Sequence, residues 1–114
     1  MSKQKELHRL QQLAGLKLDA MLLVLTAASR ARQASLDQLA GLAIPESLPT
    51  GLPELVSRRA TLTYQRWAEC RRVEINQLLA RQTADWLTAQ DAARVAFGQT
   101  EALRLLASRL AGKV

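Results

Sequence analysis

The chain has 114 residues, with 16 Lys or Arg against 10 Asp or Glu and a formal net charge of +6. This length leaves no room for two ordinary domains. Hydrophobic residues make up 48% of the chain, which excludes a charge-rich disordered segment. The apolar residues are mostly Leu and Ala, which favour helices and argue against an all-β domain. The single His and the single Cys are too few for the usual zinc sites, and a lone Cys excludes an internal disulfide.

The first predicted element is a long helix over about residues 3–43. Apolar residues recur there at intervals of three and four, with the α-helical average of about 3.6, which predicts little supercoil. Gly15 lies inside this helix without ending it, and Gly41 is a candidate C-terminal cap. The row expected to face a partner helix consists of Leu7, Leu10, Ala14, Leu18, Met21, Leu25, Ala28, Arg32, Leu36, Leu39 and Ala43.

A short apolar run at residues 21–25 is followed by small residues, which is one feature of a signal peptide. The run begins only after twenty residues, however, and Asp19 lies at its edge. It is also shorter than the roughly 20 residues that a membrane span needs. We therefore expect a soluble, cytoplasmic protein.

All three prolines fall within residues 45–53, and they predict a turn over 44–52 followed by a helix over about 53–111. Two long helices joined by a short turn bury their apolar rows by folding back on each other. The sequence thus predicts one all-α domain over residues 1–114, with two long antiparallel helices forming a coiled-coil-like hairpin. The row of the second helix is Tyr64, Ala68, Arg71, Ile75, Leu78, Gln82, Trp86, Ala89, Ala93, Ala96, Thr100, Leu103, Ala107 and Leu110.

The first helix has more apolar surface than one partner helix needs. The surplus row is Leu13, Leu16, Ala20, Leu23, Val24, Ala27 and Ala31, which lies opposite or beside the first row. A wide core face, or a third helix made by splitting one of the two, would explain it. The alternative is a docking face for a partner protein or a second copy, with Leu13, Leu16, Ala20 and Leu23 in contact.

The second helix carries an Arg-rich region at residues 58–81 with acidic residues interspersed. A solvated face with local ion pairs explains it, and a nucleic-acid-binding face is the alternative. Few aromatic residues lie among these arginines, so the sequence gives weak support for specific DNA recognition. Cys70 and His8 are expected to lie far apart, and no phosphate-binding loop or acidic metal cluster is present. We therefore expect no enzyme, no metal and no cofactor.

Three stretches carry a family resemblance: LHRLQQL at residues 7–13 with the Ala/Leu helix after it, RRVEIN at 71–76, and AFGQTEAL at 96–103. Together with the short, basic and helical character of the chain, they resemble the flagellar FliJ and injectisome YscO family of small type III export proteins. The resemblance implies a non-enzymatic stalk that inserts a coiled-coil tip into a hexameric export ATPase and links it to the export gate. A basic nucleic-acid-associated protein and a structural, oligomerising coiled coil are the alternatives.

Charge at the two termini completes the sequence-based picture. An antiparallel hairpin brings the start of the first helix close to the end of the second, so basic residues should gather at one end. The candidates for partner binding at this basic end are Lys3, Lys5, Arg9, Arg104 and Arg109, with His8 and Lys113 nearby. Plain solvation of these charges is the alternative to a docking role.

Overall fold

The computed structural model describes residues 2–42 and 53–112. This part of the chain contains two α-helices, α1 over Ser2–Ala40 and α2 over Glu54–Gly112, and no strand. The helices have 39 and 59 residues and form the antiparallel, coiled-coil-like hairpin that the sequence predicts. The predicted turn over 44–52 and the predicted row member Ala43 lie outside the described residues.

The helix ends follow the expected signals with small differences. Helix α1 ends at Ala40, about three residues before its predicted end. The N–H of Gly41 donates to the carbonyl of Asp37 at 3.0 Å, and the N–H of Leu42 donates to that of Leu39 at 3.1 Å. Gly41 closes the helix without entering the left-handed region that a glycine cap normally uses. Helix α2 begins at Glu54, one residue after the predicted start at Pro53, and the N–H of Ser57 donates to the Pro53 carbonyl at 3.0 Å.

The chain divides into two compact units, and both helices contribute to each. Unit 1 contains α1 up to Arg30 and α2 from Ala84 onward. Its buried residues are Leu7 from α1 and three alanines from α2, Ala89, Ala93 and Ala96. Leu10 and Leu13 share a groove with Ala102 and Leu103, whereas Leu18 and Leu25, further along α1, share one with Gln90 and Ala93. This reversal of order shows that the two segments run antiparallel.

Unit 2 contains α1 from Ala31 and α2 up to Thr83. Leu42, Ala68 and Ile75 form its core, with Leu39 and Tyr64 packed against them.

Polar contacts between the helices fix the order within unit 2. Near the start of its α1 segment, Arg32 Nε donates to Thr83 Oγ1 at 3.2 Å. At the other end, Arg72 Nη2 donates to the carbonyl of Leu42 at 3.4 Å. The helices of this unit are therefore also antiparallel.

The burial pattern corrects the predicted helical period. From Leu7 to Leu42, the buried and half-buried residues of α1 include a row with alternating steps of four and three residues, which is the heptad period of about 3.5 rather than 3.6. Helix α2 keeps the same alternation from Arg72 to Leu110. Three predicted row members are therefore exposed and a neighbour takes each place: Gln11 replaces Leu10, Arg72 replaces Arg71 and Leu79 replaces Leu78.

Candidate docking surface

A row of exposed apolar side chains follows α1 within unit 1. Leu13, Leu16 and Leu23 are 61%, 66% and 73% exposed, and Ala20 and Ala27, which continue the row, are exposed as well. The surplus row predicted from the sequence is thus left uncovered by α2, which argues against the wide core face. Ala31, the last member predicted for the row, is an exposed residue of unit 2.

This exposed row has its own heptad spacing. The steps from Leu13 through Leu16, Ala20 and Leu23 to Ala27 are three, four, three and four residues. The heptad row that faces α2 is offset so that the two rows lie on opposite sides of the helix. We call the exposed row, residues 13–27 at this spacing, the outer seam. Helix α1 therefore has two sides with the pattern that packs against another helix, and one of them is unpartnered.

An apolar groove of about 420 Å³ adjoins the outer seam in unit 1. Leu10 and Leu13 line it from α1, and Ala102 and Leu103 line it from α2. Lys17 also lines it, and its Nζ donates to Gln99 Oε1 at 3.1 Å. The lysine is therefore held by a neutral amide, so its positive charge is available at the edge of an apolar groove.

A second groove of about 440 Å³ lies between the helices of unit 1, lined by Leu18, Leu22 and Leu25 of α1 and by Phe97 of α2. Phe97 is exposed, and sequence analysis did not assign it a role. Leu10 was placed in the row facing α2, but it lines the first groove instead. The heptad pattern is the signal that would have found both, because it places Leu10 and Phe97 beside the contact rows of their helices rather than in them.

The predicted basic end lies within unit 1. Leu10 and Leu13 line the same groove as Ala102 and Leu103. The start of α1 and the end of α2 therefore extend toward the same end of this unit. Arg104 forms an ion pair with Glu101 at 3.1 Å, and so part of the charge is compensated locally. Among the residues that the structure describes, Lys3, Lys5, Arg9 and Arg109 form no ion pair. These predicted site residues are therefore exposed toward the same end of unit 1, and four of the five form no ion pair with the described residues. We call them the basic cluster.

Three of the six arginines in the Arg-rich region of unit 2 form ion pairs with acidic neighbours on the same helix. Arg58 contacts Glu54 at 2.9 Å, Arg71 contacts Glu74 at 3.1 Å and Arg72 contacts Glu69 at 2.6 Å. In all three pairs the partners lie one helical turn apart. The pairs of Arg58 and Arg71 are exposed, whereas Arg72 is half-buried, and such contacts contribute a few tenths of a kcal/mol. Local pairing accounts for the charges of these three arginines and their three acidic partners without a nucleic-acid partner.

The aromatic side chains, Cys70 and His8 differ in exposure and in the unit to which they belong. Trp67 is exposed and its ring lies 5.7 Å from that of Tyr64, while Trp86 belongs to the half-buried row of α2. Cys70 is exposed in unit 2 and His8 is exposed in unit 1. Within residues 2–42 and 53–112, no cluster of His, Cys, Asp or Glu has the arrangement that could hold a metal ion.

Helix α1 is long enough and apolar enough to be a candidate membrane span. Ser2–Ala40 contains an 18-residue window with a mean hydropathy of 1.3, and none of that window is buried. Length and composition alone carry this assignment, and the core helix of a soluble protein or a signal sequence satisfies the same test.

Comparison of the chain with models of protein families, with curated proteins and with solved structures finds no match.

Proposed function

We propose that this protein is a non-enzymatic, cytoplasmic coiled-coil adaptor or stalk that docks on a partner protein through α1. The observation that carries the proposal is the outer seam, because a soluble protein seldom exposes a continuous row of Leu and Ala unless another molecule covers it. An exposed basic cluster at one end of the same unit adds a second means of attraction to an acidic partner.

The ATPase of a type III export apparatus is the partner that the family resemblance suggests. A stalk in such a machine must be stiff, and it must present side chains along a helix rather than around a cavity. Two long helices with heptad packing meet the first requirement, and an exposed seam on α1 meets the second. These features support the proposal without identifying the ATPase, so binding has to be measured directly.

The test is binding of the purified chain to a purified hexameric export ATPase, with Leu23→Glu as the disrupting variant. Leu23 is the most exposed of the large apolar residues in the outer seam. A carboxylate there should be buried on docking without a partner, which we expect to weaken binding by about tenfold or more. Circular dichroism should remain unchanged, since the side chain makes no contribution to the helix pair.

Val95→Glu is the matched control, because Val95 is an exposed apolar residue of α2 in the same unit. It introduces the same charge and should leave binding within about twofold. Normal binding by Leu23→Glu, or equal losses in both variants, would contradict docking through the outer seam.

Random duplex DNA, assayed at two salt concentrations, tests the nucleic-acid alternative. Arg59, Arg66 and Arg81 of unit 2 form no ion pair with the described residues and would then carry the binding, which should fall steeply with added salt. Sedimentation of the chain alone tests the third reading, a structural oligomer, in which Leu23→Glu would shift the mass to that of a monomer.

A further inference from the structure

We propose that the outer seam binds an acidic, amphipathic α-helix of the partner, with apolar residues along its middle and carboxylates toward both of its ends. This inference rests on the proposed docking function and specifies the chemistry of the partner. Three observations support it: the heptad spacing of the seam, the arginines at its two ends, and the basic residue at the adjoining groove.

The spacing identifies the partner as a helix. Steps of three and four residues place successive side chains of the seam along one nearly straight line on α1. A second helix can insert its own side chains between them, as α2 does on the opposite side. Ala20 and Ala27 alternate with Leu16 and Leu23, which leaves room at every second position for a large side chain of the partner.

The ends of the seam identify the charge of the partner. Extending the same alternation by one step in each direction reaches Arg9 before Leu13 and Arg30 after Ala27. Both arginines are exposed, and neither forms an ion pair with the residues that the structure describes. They are about 30 Å apart on a straight helix. A partner helix of about 21 residues would therefore meet a guanidinium near each of its ends, where a carboxylate can pair with both N–H groups.

Lys17 strengthens the same preference along the side of the seam. It lines the apolar groove formed with α2, and its partner there is the neutral amide of Gln99. Asp19 is the acidic residue within this stretch of α1, against the three positive charges of Arg9, Lys17 and Arg30. A partner with an acidic flank would satisfy Lys17 as well, whereas a basic one would meet repulsion along the whole seam.

A second copy of this chain fits the seam poorly. In antiparallel self-association, the two ends of the seam would place Arg9 of one copy opposite Arg30 of the other. In parallel self-association, each arginine would face its own counterpart. Either arrangement brings like charges together at both ends, which disfavours the homodimer while leaving an acidic partner unaffected.

The test uses two synthetic helices of about 21 residues as probes. Both carry Leu and Ala at heptad spacing along the middle; one has Glu at the terminal seam positions and flanks, and the other has Lys at the same positions. Fluorescence anisotropy should show that the full chain binds the Glu probe at least about tenfold more tightly than the Lys probe. Chemical-shift mapping should locate the bound Glu probe on residues 9–30.

Charge reversal is the decisive variant. Replacing both arginines, Arg9→Glu and Arg30→Glu, should invert the preference so that the Lys probe binds more tightly. Leu16→Glu should weaken both probes by about tenfold or more, since it places a carboxylate inside the apolar seam. Arg94→Glu is the control, because Arg94 is an exposed arginine of α2 in the same unit, and it should leave the preference intact.

Several results would overturn the inference. Equal binding of the two probes, or no binding of either at about millimolar concentration, would exclude an acidic helix. A dimer of the chain that Leu16→Glu dissociates would make a second copy the occupant. Binding to vesicles of anionic phospholipid, with no binding of the Glu probe, would make a lipid surface the occupant instead.

The outcome is separable from that of the proposed function. If the Glu probe binds as expected and the export ATPase does not, the proposed ATPase partner is wrong and the acidic helix stands. If the ATPase binds in a manner that Leu23→Glu disrupts, and the charge-reversed chain keeps the wild-type probe preference, the docking function stands and the acidic helix is wrong.

Discussion

Ser35 combines a polar side chain with deep burial, at 2% exposure. Its hydroxyl donates to Gln82 Oε1 at 2.5 Å across the helices of unit 2. A hydrogen-bonded polar pair in a helix interface contributes little net stability, but a shifted register would leave both groups without their partner. We therefore interpret the pair as a device that selects one alignment of α1 against α2 in this unit.

Breaking the hydrogen bond between Ser35 and Gln82 should lower the free energy of unfolding only modestly, and removing both polar groups should restore most of the loss. Gln82→Met keeps the length of the side chain and removes the amide, which leaves the Ser35 hydroxyl without its acceptor and should lower the free energy of unfolding by about 1 kcal/mol. Adding Ser35→Ala removes the stranded hydroxyl, so the double variant should recover most of that loss. Urea denaturation of the two single variants and the double variant measures both effects. A double variant as unstable as the sum of the two singles would show that the hydrogen bond is not the source.

At the scale of the helices, the sequence determines the elements better than their contact faces. Proline clustering and apolar periodicity predict two long helices and the hairpin. Two of the three errors in the contact rows occur where adjacent residues have the same character, at Arg71 and Arg72 and at Leu78 and Leu79. Sequence pattern alone does not choose between such neighbours. Packing against a second helix does, because it imposes the heptad period of about 3.5 on both.

Two glycines inside the helices offer a test at this scale. Gly15 in α1 and Gly98 in α2 each have open space where a Cβ would be placed, with no atom within 4 Å. Alanine there should stabilise the helix without a clash, so Gly15→Ala and Gly98→Ala should each raise the free energy of unfolding by about 1 kcal/mol. Thermal denaturation followed by circular dichroism measures the gain.

Gly41→Ala is the control for that pair, because Gly41 lies just after the end of α1 and has no helical interior to improve. It should change stability by less than about 0.5 kcal/mol. An equal gain at all three positions would point to an effect on the unfolded chain rather than on the helices.

At the scale of the whole chain, the sequence predicts the apolar row of the candidate site but not the groove beside it. The surplus of Leu and Ala on the first helix predicts either a wide core face or a docking face, and the structure leaves the row exposed. The groove containing Lys17 and Gln99 was not predictable, since it depends on which residues of two helices distant in sequence lie side by side. The partner is not encoded in the fold of this chain, because an exposed seam specifies a kind of surface and not a molecule.

The net charge of the chain is distributed unevenly between its two parts. Residues 1–30 and 84–114 contain nine Lys or Arg and five Asp or Glu, against seven and five in residues 31–83. The uncompensated cluster at the start of α1 contributes most to the difference. Its lysines also lie at the positive end of the helix dipole, where acidic residues would be more stable and where α1 has none in its first turn. Because these positive charges do not stabilise the helix, binding to a partner is a candidate reason for their presence.

Neutralising this cluster tests that role. Replacing Lys3, Lys5 and Arg9 by Gln lowers the net charge from +6 to +3. Exposed charges act on a partner over roughly a Debye length, about 8 Å at physiological salt, so the variant should bind its protein partner about tenfold more weakly and with less dependence on salt. Helical content and melting temperature should stay nearly unchanged, since these side chains form no ion pair with the described residues.

The matched control replaces Arg59, Arg66 and Arg81 by Gln, which removes the same charge from exposed positions of α2 in unit 2. If the effect depends only on total charge, both triple variants will weaken binding equally. If the basic end docks, the first alone will do so. Unaltered binding in the first variant, with a dissociation constant that does not depend on salt, would remove Lys3, Lys5 and Arg9 from the docking surface and leave only the apolar residues of the outer seam to carry it.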